Sequence, residues 1–231
     1  MTVLNLQVGA SAGDATEDLD NTDFSATSVT LRMDSNTLLA NRRGAGWRFP
    51  SVTIDPGSTV SAATLSLYIS SGLTAADADV HAEDVDNSAD FSTTADIVDR
   101  TRTTASVTWT ESLVASSSAA TMRPSPDLSA PVQEVLDRAG WANGNALVIL
   151  VLGRSSSTGN FGCRAYDLVA STAGKLAITY TAGGGGTGQP LAKRVGGVPF
   201  MGGHGAGFPS AIQRWIRRLM PVRQEVQHGV H

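Results

Sequence analysis

From Ala146 to Leu152 the chain runs through seven apolar residues without a break. A segment with no polar face must be covered on both sides. It is too short for an ordinary helix and far below the roughly 20 residues that cross a membrane. Val148, Ile149 and Val151 favour extended backbone, and turn chemistry brackets the run, with Trp141-Ala142-Asn143-Gly144 before it and Gly153 after it. The segment is therefore predicted to be a core strand, and the rest of the chain has to supply its neighbours.

Those neighbours are legible as alternation. In residues 61–70, Ala63, Leu65, Leu67 and Ile69 share one face while Thr64, Ser66 and Tyr68 share the other. Shorter strands are predicted over residues 2–8, 28–33, 47–54 (with Pro50 at an edge or bulge), 79–85, 105–110, 163–168 and 175–181. Asp55-Pro56-Gly57-Ser58 is a turn by its Pro-Gly chemistry. Residues 9–23 read as an acidic loop and residues 112–120 as a low-complexity surface loop. One helix precedes the core strand: Leu128, Val132, Val135 and Leu136 form its stripe, Ser129 caps it, Pro131 sits in its first turn and Gly140 ends it. Many short strands and one helix predict an all-β fold, an antiparallel, jelly-roll-like β-sandwich over residues 1–181.

Composition changes at Gly183-Gly184-Gly185-Gly186, and residues 182–207 read as a glycine-rich linker. Charge changes with it. Residues 1–181 carry 11 Lys and Arg against 20 Asp and Glu, a net of −9, whereas residues 182–231 carry 6 against 1, a net of +5. Residues 208–231 form a basic tail in which Phe208, Ile212, Trp215, Ile216 and Leu219 supply an apolar face, Arg214, Arg217 and Arg218 lie on another, and Pro221 stops the helix. An extended arm ending in a short amphipathic helix suits docking in a partner's groove. Its brevity argues against a membrane surface, and its few, dispersed basic residues argue against nucleic acid. No basic stretch followed by an apolar core opens the chain, and no run reaches membrane-spanning length, so the expectation is folding in a cytoplasm.

The order of elements from Trp47 to Thr181 resembles β-sandwich modules related to carbohydrate-binding domains of the disaggregatase-repeat type. Trp47-Arg48-Phe49, Val52-Thr53-Ile54, residues 57–65, residues 102–109 and Ser125-Pro126-Asp127-Leu128 carry the likeness. So do residues 132–138, Gly140-Trp141, residues 144–147, Arg164-Ala165-Tyr166-Asp167 and residues 176–180. The resemblance implies the fold, and it implies one of two settings: large secreted bacterial surface proteins or tailed-phage virion proteins. The absence of a signal peptide and the added tail favour the second.

Candidate chemistry is sparse. His81, Glu83, Asp84 and Asp86 place an imidazole beside carboxylates, but a zinc site needs further good ligands, and Cys163 is the only cysteine. A solvated strand end is the plainer reading. Asp14, Glu17, Asp18 and Asp20 with Asp167 offer oxygens to a structural calcium, which the resemblance encourages, although the spacing is not that of an EF-hand. Cys163 lacks a neighbouring His, and neither a Gly-x-Ser-x-Gly elbow nor a phosphate loop is present. Trp47 and Trp141 are candidate sugar-stacking residues, with core packing the competing role for both and for Trp109. The expected function is a non-enzymatic virion structural protein of a tailed phage, in capsid decoration, fibre or tail. Its sandwich is expected to face outward, and its arm to dock on other virion subunits in a homo-oligomer. The alternative is a carbohydrate-binding module on surface glycans; a glycoside hydrolase is a distant third, since paired carboxylates are plentiful but unplaced.

Overall fold

The computed structural model describes residues 1–71, 76–92, 96–111, 121–156 and 159–183. Among these, twelve strands and one short α-helix follow in the order β1 (Thr2–Gln7), β2 (Asp14–Asp18), β3 (Phe24–Ser25), β4 (Thr30–Ser35), β5 (Arg43–Phe49), β6 (Thr59–Ser71), β7 (Ala76–Ala82), β8 (Val107–Glu111), β9 (Thr121–Pro124), α1 (Ser129–Leu136), β10 (Leu147–Gly153), β11 (Gly159–Arg164) and β12 (Lys175–Thr181). Every registered pair is antiparallel. The hydrogen-bonded path runs β1-β12-β6-β11-β4-β5-β10-β7-β8, with β9 added on β6, β2 on β5 and β3 on β2.

β10 sits between β5 and β7, with Ile149 opposite both Trp47 and Ala82. All seven of its residues are buried. Its alternate side chains enter two separate apolar clusters. Leu147, Ile149 and Val151 join the larger one with Trp47, Leu65 and Val132, while Val148, Leu150 and Leu152 join a smaller one with Ala15, Phe91 and Ile97. The unbroken apolar run is thus a strand with a core on each face. At about 1.5–3 kcal/mol for each large aliphatic side chain buried, β10 is among the most stabilising segments of the domain. Gly46 on neighbouring β5 has no Cβ, and the ring of Phe91 occupies the space that a Cβ would take.

β6 matches its alternation: Ala63, Leu65, Leu67 and Ile69 are fully buried, and Thr64, Ser66 and Tyr68 are half-buried. The helix lies on β6 and buries Leu128, Val132, Val135 and Leu136. Its start departs from expectation. Ser129 is the first helical residue and not the cap; Asp127 accepts hydrogen bonds from the Ser129 backbone N–H at 3.0 Å and from Ala63 N–H at 2.8 Å. These bonds hold the Asp127 carboxyl below the usual range, against the opposing effect of desolvation. The helix ends at Leu136, before Gly140.

The Asp55–Ser58 turn forms as expected, with Gly57 at φ 75° and Ser58 N–H donating to Asp55 O at 3.2 Å. Several expected boundaries move, β7 among them, at Ala76–Ala82 and not residues 79–85. β5 ends at Phe49, because Pro50 cannot donate to a ladder and Ser51 turns to φ 56°. β11 spans Gly159–Arg164, earlier than residues 163–168. Residues 14–18, expected in an acidic loop, form β2 against β5. Residues 112–120, and the linker and tail from residue 184 onward, lie outside the described residues.

Candidate functional site

A cleft of about 350 Å³ opens at the C-terminal end of β10, beside Asp79 and His81 of β7, at the rim of the smaller apolar cluster. Strand geometry explains its lining. On β7, Ala76, Ala78, Val80 and Ala82 are buried, so the alternate residues Asp79 and His81 emerge on the opposite face. They stand across from Leu152 and Leu150 of β10. Arg154 follows β10 directly, its N–H held by Asp77 O at 3.0 Å. Arg42 precedes β5 after a single 3-10 turn, Leu39–Asn41. Arg102 stands in an isolated bridge with Glu83. Leu19 and Val98 add apolar wall.

The charges in the cleft are unequally matched. Arg154 Nη1 pairs with Asp79 Oδ1 at 3.1 Å and donates to Thr108 Oγ1 at 2.6 Å. Arg102 Nη2 donates only to a carbonyl, Val98 O, at 2.8 Å. Arg42 has no carboxylate partner among the described residues, and its Nε is buried without a hydrogen-bond partner. Three guanidinium groups against one carboxylate leave the cleft at +2, inside a region of net −9. His81 directs Nδ1 at Thr103 O, 3.0 Å away. A carbonyl only accepts, so Nδ1 carries the proton and Nε2 is the nitrogen left over. A cleft of this make-up can hold an oxyanion by charge-assisted hydrogen bonds.

The residues singled out from the sequence fall elsewhere. Trp47 and Trp141 are 0% and 4% exposed, and Trp141 Nε1 donates to Ile54 O at 3.0 Å. Their ring faces lie against core side chains, so the sugar-stacking role is corrected to core packing; Trp109, at 3%, joins them. Glu83 pairs with Arg100, and Asp84 and Asp86 both pair with Arg138, which separates these acids from His81. The acidic stretch is likewise divided. Glu17 accepts the backbone N–H groups of Ile97 and Val98 at 2.8 and 3.0 Å, and Asp18 pairs with Arg43 at 2.5 Å.

Asp14 accepts Tyr166 N–H at 2.9 Å, and Asp167 accepts Ser11 Oγ at 2.8 Å. Burial pushes the Asp14 carboxyl up to about 7; the Tyr166 hydrogen bond opposes this, and the charge of Asp167 adds to it. Among the described residues no group of three or more His, Cys, Asp or Glu is placed to hold a metal ion. Cys163 is fully buried, and desolvation raises its thiol far above the ordinary range, with the Asp14 charge adding to the rise. Phe208, Ile212, Trp215, Ile216, Leu219 and the tail arginines Arg214, Arg217 and Arg218 lie outside the described residues.

Arg42, Arg102 and Arg154 were not legible as a site, because three distant segments bring them together. The one local signal is the Arg42-Arg43 doublet within an otherwise acidic region. No protein-family model and no curated protein matches the chain.

Proposed function

We propose that this chain is a non-enzymatic structural protein of a tailed-phage virion, with the β domain displayed outward and the basic C-terminal segment docking on other virion subunits. The observation that carries the reading is self-sufficiency. Side chains from residues 1–183 cover both faces of β10, so the domain's core asks for nothing from the apolar residues of the tail sequence, and docking on a partner is the role proposed for them. The opposite charges of the two parts, −9 and +5, suit a displayed surface joined to a separate anchor. A passive role also fits the state of the two side chains best suited to covalent or acid–base work. Cys163 is buried with a raised thiol, and His81 makes no hydrogen bond to a hydroxyl, thiol or carboxylate among the described residues.

Electron microscopy of purified virions labelled with antibody to residues 1–181 tests this. Label on intact particles, lost when residues 208–231 are deleted, is the expected result; unlabelled mature particles overturn it. The second reading, a module that contacts surface glycans, is favoured by the cleft, a concave polar site with charged side chains along its wall.

A further inference from the structure

We infer that the cleft beside β7 at the C-terminal end of β10 binds the acidic group of a charged sugar, a carboxylate or sulfate ester, through Arg42 and Arg102. The inference rests on the glycan-contact reading and names the ligand class for it. Most guanidinium groups in this domain meet a carboxylate: Arg32, Arg43, Arg48, Arg100, Arg138 and Arg154 each pair with one. Arg164 lies over the Tyr68 ring at 4.1 Å. Arg42 and Arg102 meet no carboxylate among the described residues, and both line the same cleft. Guanidinium suits carboxylate and sulfate through paired N–H groups.

The rest of the lining selects the class further. The Arg154–Asp79 pair offers both donors and acceptors to hydroxyl groups, His81 Nε2 adds one more polar atom, and Leu19, Leu152 and Val98 give an apolar side for a sugar's C–H face. A volume of about 350 Å³ suits one or two sugar units and not a large chain segment. Nucleic acid fits poorly. It asks for a basic stripe and exposed aromatic platforms, whereas the positive charge here is one local island and Trp47, Trp109 and Trp141 are buried.

Calorimetric titration of the full chain with glucuronate, glucose 6-sulfate, glucose and inorganic sulfate tests the assignment and separates the two acidic groups. At least one acidic sugar is expected to bind more tightly than glucose and than inorganic sulfate, with affinity falling as salt rises. Arg42→Gln and Arg102→Gln should each weaken that binding about tenfold, as expected for loss of one charge-assisted contact. Lys175→Gln, at an exposed residue of β12, should leave it unchanged, with circular dichroism showing all three variants folded. Equal binding of glucose, equal binding of inorganic sulfate, or unchanged affinity in the Arg42→Gln/Arg102→Gln double variant overturns the inference. A glycan-array signal that survives the double variant removes the cleft assignment while sparing the glycan-contact reading; no signal for any glycan removes both.

Discussion

Arg100 and Arg102 stand two residues apart, yet they belong to regions with opposite uses of the same side chain. Arg100 is 6% exposed and saturated. It donates to Glu83 Oε2, Asp96 Oδ1 and the carbonyls of Ala89, Asp90 and Asp96, and it lies 4.3 Å from the centre of the Phe91 ring. Those bonds tie Glu83, Ala89, Asp90 and Asp96 together around one side chain beside the smaller apolar cluster, so Arg100 is structural cement. Arg102 is exposed, gives one bond to Val98 O and meets no carboxylate among the described residues. Charge alone does not mark a binding residue; a site is marked by charge left without an internal partner.

The largest effect should come from the saturated side. Arg100→Met strands Glu83 as an unpaired buried charge, at a cost of about 3–5 kcal/mol. For a domain of this size that lowers Tm by roughly 10 °C, readable by calorimetry. A loss under 1 kcal/mol would mean that Arg100 is no more committed than Arg102, and the contrast would break.

Asp14 sharpens the comparison from the acidic side, as a buried carboxyl with no cation beside it. Its folded pKa of about 7 exceeds the ordinary 3.8, so the folded state binds its proton more tightly than the unfolded chain. The stability it contributes is full below about pH 4 and is lost as pH rises through 7, to a total of about 4 kcal/mol. Asp14→Asn should flatten that part of the stability profile and make the variant the more stable protein at pH 8. The check is urea unfolding at pH 5 and pH 8. A wild-type profile that rises between those values and is unaltered by the substitution would refute the assignment.

The smallest effect should be at the cleft. Arg42→Gln removes a group with no internal carboxylate, so stability should change by less than about 0.5 kcal/mol. A larger loss in thermal unfolding would place Arg42 with Arg100 as a structural residue.

Much of the scaffold could be read in advance, since local pattern and tertiary demand agree there. The apolar run of β10, the alternation of β6, the stripe of α1 and the limits of β12 all follow from side-chain periodicity. β2 could not be read that way. Asp14, Glu17 and Asp18 look like loop residues, and they become strand residues because Tyr166, Ile97, Val98 and Arg43 supply hydrogen and ion partners from far along the chain. β11 was misplaced for a related reason: Gly159-Asn160 has turn chemistry but pairs with Ser35 and Asp34 of β4. Trp47 and Trp141 were the reasonable choices for sugar contact, because exposure cannot be read from a tryptophan's identity. Beyond the Arg42-Arg43 doublet the cleft arginines carry no local pattern; what marks Arg42 and Arg102 is a shared cleft and the lack of a carboxylate partner among the described residues, and neither is defined until the chain is folded.

The pairing of β1 with β12 sets Thr2 opposite Tyr180 and Gln7 opposite Lys175. Traction applied between residues 2 and 181 therefore acts at one end of an antiparallel ladder and opens its six rungs in succession, like a zip, instead of shearing them together. Hung between two anchors, this domain would yield at low force. Tethered from one side only, it never feels that load.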